Sequence, residues 1–363
     1  MQTDELADHL FASVLGALDV LTVHIGDQFG VYDLLHRDGP LTPEEVAERS
    51  GLHPRYAREW LEQQTVAGLV DVDDPVRPAQ ERRYSLPEEH AAVLADRDSP
   101  SFFTPFARMV AAAAAQLPAL QDAYRTGGGV GWEAFGPLMR TAQADANRPL
   151  FLGPLAHDWL PVLPEVHRDL TAGGRVADIG CGEGWSSIGI ALGYPAARVD
   201  GFDVDPASVD AARRHAASYG VGERVTFHLV DAAAASTGPA SEVGGYDLVT
   251  AFECVHDLPD PVSVLGRARA LVRPGGTVLV MDEKVPETFT GPGDPVEQLM
   301  YGISLLVCLP DGLSHPGSVG TGTVMRPDTL RGYAREAGFV DVQVLPVEHD
   351  MFRFYRLTLP DSP

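Results

Sequence analysis

A short segment that contains a histidine offers the clearest acid–base chemistry in the chain. Residues Cys254–Asp260 read Cys-Val-His-Asp-Leu-Pro-Asp and follow an apolar run that ends at Phe252. A histidine changes its charge near neutral pH, so His256 can take a proton from a hydroxyl group that is about to react. Glu283 follows a second apolar run, where an acid could orient that base or bind a substrate. We therefore predict His256 and Glu283 as catalytic residues.

A glycine-rich loop provides the second chemical signal. Residues 178–184 read Asp-Ile-Gly-Cys-Gly-Glu-Gly and lie between an apolar run and a helical pattern. Without side chains the backbone can turn sharply and approach a ligand closely, and the start of the following helix favours negative charge. Asp203 ends the next apolar run, about twenty residues further on, where an acid can accept hydrogen bonds from ribose hydroxyls. The pattern predicts a site for a nucleoside-containing cofactor.

These segments belong to an alternation of strands and helices that starts near Arg175. Such alternation predicts right-handed crossovers and a parallel, doubly wound sheet. The last two predicted strands, 340–345 and 352–359, have no helix between them, which predicts an antiparallel pair at one edge. The other predicted strands cover residues 176–179, 199–203, 225–229, 246–252 and 277–281.

The spacing of the glycines separates two classes of cofactor. A dinucleotide loop reads Gly-x-Gly-x-x-Gly, whereas this loop reads Gly-x-Gly-x-Gly with Asp178 two residues ahead. Asp203 and Asp231 follow the second and third strands, and a Leu-Val-Arg-Pro-Gly-Gly turn at 271–276 precedes the fifth. With these features, the region from about residue 170 to 360 resembles the class I S-adenosylmethionine-dependent methyltransferases. The resemblance implies an α/β fold with a Rossmann-like sheet of seven strands, and S-adenosyl-L-methionine as cofactor.

The resemblance also implies cofactor contacts position by position. The three loop glycines would pass the methionine part of the cofactor, and Asp203 would hold the ribose. Asp231 would face the adenine amino group, while Phe252 and Glu253 would lie near the sulfonium. The predicted cofactor-binding residues are Asp178, Gly180, Cys181, Gly182, Gly184, Asp203, Val204, Asp231, Ala232, Phe252 and Glu253.

The segment around His256 resembles that of small-molecule O-methyltransferases in which a histidine is the general base. This resemblance implies methyl transfer to a hydroxyl of a small-molecule acceptor, in secondary metabolism or detoxification. Three alternatives stay open. The chain could be a C- or N-methyltransferase in which His256 only shapes the pocket. It could be a transcriptional regulator that senses the cofactor, or an enzyme that uses the sulfonium without moving a methyl group.

The first hundred residues predict a winged-helix-like domain. Thr42 is a plausible N-cap with Pro43 behind it, and Pro54 opens a second helix. Two short apolar segments, 69–72 and 83–86, then read as the strands of a wing. We predict three domains: a winged-helix-like dimerisation domain at 1–100, a helical bridge or substrate cap at 101–170, and the methyltransferase domain at 171–363 with a lid insertion around 286–326.

The charge of the chain argues against a nucleic-acid or membrane partner. The formal net charge is -24, and residues 1–100 hold 8 arginines, no lysine and 20 aspartates and glutamates. Such a surface repels phosphate groups. Apolar residues recur at helical spacing in residues 5–36, and this stripe needs a partner, so we predict a homodimer. We expect no apolar run to be long enough to span a bilayer.

The three cysteines, Cys181, Cys254 and Cys308, are too few and too scattered for a disulfide framework. With an acidic N-terminus that lacks the features of a signal peptide, they predict a cytoplasmic protein. No spacing of cysteine and histidine matches a zinc site, so we predict no metal.

Overall fold

The computed structural model describes residues 2–231 and 244–360, so the predicted cofactor residue Ala232 lies outside the described residues. The chain forms two compact units. Unit 1 comprises the residues up to Ala115 together with Pro137–Pro149, and unit 2 comprises Gln116–Gly136 and the residues from Leu150 onward. The segment 101–170, predicted as a separate bridge, is divided between the two units.

Unit 1 has the order expected of a winged helix. The Thr42 side chain accepts a hydrogen bond from the backbone of Glu45, whose side chain accepts one from the backbone of Thr42, so the predicted cap starts its helix. The two wing strands pair in antiparallel fashion. The elements are α1 (Thr3–Gln28), α2 (Val31–Asp38), α3 (Pro43–Ser50), α4 (Pro54–Val66), β1 (Asp71–Val72), β2 (Tyr84–Ser85), α5 (Glu88–Leu94) and α6 (Thr104–Ala115).

Helix α1 differs from what the sequence predicted. It runs for 26 residues, and by length and composition it could cross a membrane, so the expectation that no apolar run has that length is wrong. Its second half packs into unit 1. The indole Nε1 of Trp60 donates to the carbonyl of Thr22 at 2.9 Å, and the amide of Gln63 donates to Asp19 at 3.0 Å.

Unit 2 contains the sheet that positions the predicted site. Its strands are β3 (Arg175–Ile179), β4 (Arg198–Asp203), β5 (Val225–Leu229), β6 (Tyr246–Phe252), β7 (Val272–Glu283), β8 (Asp341–Val344) and β9 (Phe352–Thr358). Its helices include α7 (Leu117–Thr126), α9 (Pro164–Thr171), α10 (Trp185–Gly193), α11 (Pro206–Ser218), α12 (Pro261–Leu271), α13 (Pro295–Ile303), α14 (Leu309–Leu313) and α15 (Pro327–Glu336). Helix α8 (Trp132–Leu152) runs from unit 2 into unit 1 and back, with a break at Gly136.

The seven strands lie in the order β5-β4-β3-β6-β7-β9-β8. Strands β3 to β7 are parallel, and β9 runs antiparallel to both β7 and β8. The predicted parallel sheet with an antiparallel pair at one edge is confirmed. Strand β7 begins at Val272, five residues before the predicted start at Thr277, and its pairing with β6 shifts between Tyr246 and Leu248. The strand order reverses between β3 and β6, so ligands are expected beyond the carboxyl ends of these two strands.

Candidate active site

The glycine loop follows β3, and two of its glycines are required by packing as well as by backbone shape. Gly180, Gly182 and Gly184 all have positive φ angles, of 68°, 51° and 85°. A Cβ on Gly184 would lie 2.5 Å from the ring of Phe227, and one on Gly180 would lie 2.8 Å from Cβ of Cys254. At Gly182, no atom of the described residues lies within 4 Å of the Cβ position. The open side of the loop is therefore at Gly182, where a ligand can approach the backbone.

Asp178, the last acid before the loop, is turned inward. Its carboxylate accepts hydrogen bonds from the hydroxyls of Ser186 at 2.5 Å, Ser187 at 2.6 Å and Thr250 at 2.7 Å. Burial raises the pKa of Asp178, although the three hydroxyls oppose that rise. These contacts tie β3 to α10 and β6, so Asp178 holds the loop in shape. Its predicted contact with the cofactor stays a prediction.

Asp203 ends β4 and holds the loop from the other side. Its two carboxylate oxygens accept hydrogen bonds from the backbone of Gly182 at 2.8 Å and of Asp205 at 2.9 Å. The next residue, Val204, leaves 67% of its surface exposed. A carboxylate with spare lone pairs beside an open glycine loop and an exposed apolar side chain fits the ribose and the adenine of a nucleoside cofactor.

The other predicted cofactor residues have varied surroundings. Phe252 is buried and stacks on Phe151, with ring centroids 5.8 Å apart. The side chain of Cys181 is buried beneath the loop, so only its backbone faces the open side. Asp231 is exposed at the end of the described segment. Glu253 has a φ of 50°, a left-handed backbone that is unusual for this residue type and often marks a functional site.

His256 lies in the turn after β6, beside the glycine loop, because the intervening Cys254 packs against Gly180. The imidazole is buried, and its Nδ1 lies 2.8 Å from Oδ1 of Asp282 and 3.0 Å from Oε2 of Glu283. Both acids end β7, the strand next to β6 in the sheet. The structure therefore brings the two predicted catalytic residues together and adds Asp282 as a second acid on the same imidazole nitrogen.

His256 and the acids around it shift one another's pKa values. Burial by itself lowers the pKa of His256, but the carboxylates of Asp257, Asp282 and Glu283 outweigh burial and hold it well above its usual value. Burial raises the pKa of Asp282, but the charge of His256 together with the hydrogen bonds from His256 and Glu283 outweighs burial and leaves that pKa lowered. Burial and the charge of Asp282 raise the pKa of Glu283 well above its usual value. Asp282 is thus the ionised partner, so Nδ1 of His256 carries the hydrogen and donates it.

The opposite edge of the imidazole faces a different set of groups. Nε2 of His256 lies 3.3 Å from Oδ1 of Asp257, and the half-buried thiol of Cys308 lies beside both residues. Burial, followed by the charge of Asp257, raises the pKa of Cys308 to about 12. Asp311 is near enough to feel the same charge, and burial together with Asp257 raises its pKa to about 7. This edge is acidic, and Nε2 can accept a proton only when the imidazole is neutral.

Reasoning from the sequence missed Asp282 and Cys308. Asp282 could have been predicted, because it directly follows the buried apolar run Val278–Met281. Burying a charged acid there is unfavourable unless the acid is paired. Cys308 could not be predicted in this way. It lies 52 positions after His256 in the sequence, in a π-helical turn (Ser304–Cys308) within the predicted lid.

A glycine loop follows the first strand of this parallel sheet, an acid follows the second strand, and a buried histidine paired with an acid follows the fourth. Together they are the pattern of an enzyme that binds a nucleoside-containing cofactor. Comparison with known proteins identifies the family to which this enzyme belongs. A family model described as a methyltransferase domain matches residues 170–300, and a model described as an Rv2258c-like winged HTH domain matches residues 16–96.

Curated relatives match more residues of this chain than the methyltransferase-domain model does. The ubiquinone biosynthesis O-methyltransferase of Aromatoleum aromaticum is 30% identical over 199 residues, which cover 55% of this chain and 76% of that protein. The enzyme of the same name from Ralstonia nicotianae is 30% identical over 200 residues, which cover 55% of this chain and 74% of that protein. The chain belongs to the S-adenosylmethionine-dependent methyltransferases, and its cofactor is S-adenosyl-L-methionine.

Solved structures match the fold over nearly the whole chain. The mitomycin 7-O-methyltransferase has a TM-score of 0.71 at 20% identity, with 98% of each chain covered. Human N-acetylserotonin methyltransferase, solved with S-adenosylmethionine, has a TM-score of 0.71 at 21% identity, with 99% of each chain covered. The predicted architecture, a winged-helix-like domain before a seven-stranded methyltransferase domain, is confirmed.

Proposed function

We propose that this methyltransferase transfers its methyl group to a hydroxyl of a small molecule and that His256 is the general base. The observation that carries the proposal is the buried pair of His256 and Asp282, with Nδ1 and Oδ1 2.8 Å apart. The pair lies at the carboxyl ends of β6 and β7, directly beside the cofactor loop. A phenol-like hydroxyl is a weak nucleophile until its proton is removed, so a base at this place has a defined task.

The cofactor, when bound, supplies the methyl group and the leaving group. The protein must align the acceptor oxygen and remove its proton. Nε2 of His256 accepts that proton, while the hydrogen on Nδ1 remains bonded to Asp282. The resulting imidazolium lies between Asp282 and Asp257, 2.8 Å from one and 3.3 Å from the other. Both carboxylates stabilise the charge that forms during the reaction.

The insertion after β7 is the proposed lid over the acceptor. It is attached to the turn that carries the base, because the backbone of Gly322 donates to the carbonyl of His256 at 3.1 Å, and that of Val319 donates to Pro259 at 3.0 Å. Arg326 closes the insertion with an ion pair to the buried Glu297 at 2.6 Å. Two of the similar structures are named for small-molecule acceptors, mitomycin and N-acetylserotonin, which supports a small-molecule acceptor.

The test is product analysis with a methyl-labelled cofactor. Purified protein is incubated with S-adenosylmethionine that carries a deuterated methyl group and with a set of phenols and their matched anilines. We expect mass spectrometry and NMR to place the label on oxygen. Label on nitrogen or ring carbon would favour the alternative in which His256 only shapes the pocket. Cofactor binding without any S-adenosylhomocysteine would favour a sensor or another reaction of the sulfonium.

The proposed assembly is a homodimer formed through α1. Leu10, Phe11, Val14 and Leu18 are each more than half exposed on this helix. We propose that a second copy of this chain covers this apolar face, and not a membrane. Residues Asp19–Asp27 are bonded into unit 1 by Trp60, Gln63 and Arg108. The segment that remains, 3–18, is shorter than the ~20 residues that span a bilayer.

Sedimentation tests the dimer with a matched pair of variants. We expect Phe11→Glu to convert a dimer into a monomer, because it places a charge in the apolar stripe. Val66→Glu, which also changes an exposed apolar residue in unit 1, is the control and should remain dimeric. A wild-type monomer would refute the assembly without bearing on methyl transfer.

We propose neither DNA binding by unit 1 nor export of the protein. The winged-helix fold of unit 1 is the fold of many DNA-binding domains, but residues 1–100 carry 8 arginines against 20 acids. A cytoplasmic location is proposed because all three cysteines are free thiols.

A further inference from the structure

We propose that His256, Asp257 and Cys308 form a binding site for a divalent cation of the zinc type, and that a bound cation blocks the base. Each residue offers one ligand atom, and the three atoms lie within 4.8 Å of one another. An imidazole, a carboxylate and a thiol are the ligand types of zinc proteins, and the thiol disfavours magnesium or calcium.

The distances suit a tetrahedral ion. With zinc–ligand bonds of roughly 2.0–2.1 Å, two ligand atoms of a tetrahedron lie about 3.3 Å apart. Nε2 of His256 and Oδ1 of Asp257 are already 3.3 Å apart. The sulfur of Cys308, within 4.8 Å of the other two ligand atoms, needs an approach of at most about 1.2 Å to complete three ligands, which leaves the fourth position for water.

The imidazole is also held as a zinc ligand requires. Nδ1 of His256 bonds to Asp282, which fixes the ring, so that in the neutral imidazole the lone pair lies on Nε2. This carboxylate–histidine pair is the usual support behind a metal-bound histidine. A second group of possible ligands, His256 with Asp282 and Glu283, is less suitable, because Nδ1 already donates its hydrogen to Asp282.

An independent observation points to an occupant on the Nε2 side. Oδ1 of Asp257 is shielded from solvent and has no hydrogen-bond partner among the described residues, although it is 3.3 Å from Nε2. A buried carboxylate oxygen without a partner is unfavourable, and a cation would satisfy it.

The consequence rests on the proposed function. The cation would take the same Nε2 lone pair that removes the acceptor proton. Zinc should therefore inhibit methyl transfer in competition with the acceptor and leave the binding of S-adenosylmethionine unaffected.

Cobalt titration of the whole, metal-free protein tests the site without any turnover. Co²⁺ takes zinc sites and gives a thiolate-to-cobalt charge-transfer band when a cysteine binds it. We expect one equivalent of Co²⁺ to give this band and Zn²⁺ to displace it. In Cys308→Ser the band should vanish, and calorimetry should show Zn²⁺ affinity at least about tenfold weaker, or about 1.4 kcal/mol. Cys254→Ser is the matched control, because its sulfur lies near the carbonyl of Ile179, and the band should persist.

Each outcome decides the proposal. A wild-type protein without the band, or a band that persists in Cys308→Ser, overturns the site. Cys308→Ala, checked by circular dichroism, covers the case in which the serine variant does not fold. Failure of the proposed function is seen separately, as a lack of O-methylated product in metal-free buffer, and leaves the cobalt result interpretable.

Discussion

The two sides of the active site are built in different ways. On the cofactor side, the loop from Asp178 to Gly184 and the acid at Asp203 are held by backbone hydrogen bonds and by three hydroxyls. On the base side, His256 is held by side chains that arrive from β7 and from the insertion after it. A backbone cradle tolerates change in the residues around it, whereas a side-chain cluster depends on every member.

This contrast has a physical cause. The cofactor is the same for every S-adenosylmethionine-dependent methyltransferase, and glycine loops with positive φ angles present the same backbone surface whatever the neighbouring side chains are. The acceptor differs between enzymes, so its side of the site must be set by individual side chains. Variants on the base side should therefore lower catalysis, and variants on the cofactor side should lower affinity.

The largest effect is expected for His256→Ala. Loss of a general base reduces kcat by about 10²- to 10⁴-fold, while the dissociation constant of S-adenosylmethionine should stay unchanged. Single-turnover methyl transfer and calorimetry measure the two quantities, with His157→Ala, an exposed histidine of unit 2, as the control. A decrease of only a few-fold would mean that proximity alone drives the reaction.

Asp282→Asn should sharpen the comparison through the pH profile. The base works only when it is unprotonated, so kcat/KM should rise with pH through the raised pKa of His256. Removing the Asp282 charge removes one cause of that rise, so the profile should shift to lower pH while the maximal rate falls about tenfold or more. A profile that keeps its position would show that Asp282 does not act on the base.

Asp203→Ala should affect the other side alone. The variant loses the carboxylate that accepts a hydrogen bond from Gly182 and that we predict to hold the ribose, so affinity for S-adenosylmethionine should weaken at least about tenfold, or about 1.4 kcal/mol. The maximal rate at saturating cofactor should change far less. Asp210→Ala, an exposed acid on α11, is the control. Unchanged affinity in Asp203→Ala would remove the predicted ribose contact.

The smallest effect is expected at Glu253, which joins the two sides. Asparagine tolerates the left-handed backbone better than glutamate, so Glu253→Asn should raise the free energy of unfolding by about 0.5–1 kcal/mol. Urea denaturation measures this change. If Glu253 contacts the sulfonium end of the cofactor, the same variant should also bind S-adenosylmethionine more weakly. A purely structural role of Glu253 would leave that affinity unchanged.

Much of the architecture could be predicted from local patterns. Alternating apolar runs and helical stripes predicted the strands within a few residues, with β5 and β6 at their observed bounds, because strand and helix periods are written in neighbouring residues. The start of β7 was misplaced, since the Pro-Gly-Gly turn at 274–276 is absorbed into a strand whose pairing shifts locally. Domain bounds in residues 101–170 were beyond this reasoning, because a helix pattern does not show against which unit the helix packs.

The sequence by itself determined the cofactor loop, the acid after β4 and the histidine after β6, because each is a short motif attached to a predictable strand end. Only the tertiary structure decided what surrounds that histidine. Asp282 reaches it because β7 lies beside β6, and Cys308 reaches it because the insertion after β7 folds back on the turn. Such contacts join residues 26 and 52 positions away from His256, and no local pattern encodes a distance that only packing sets.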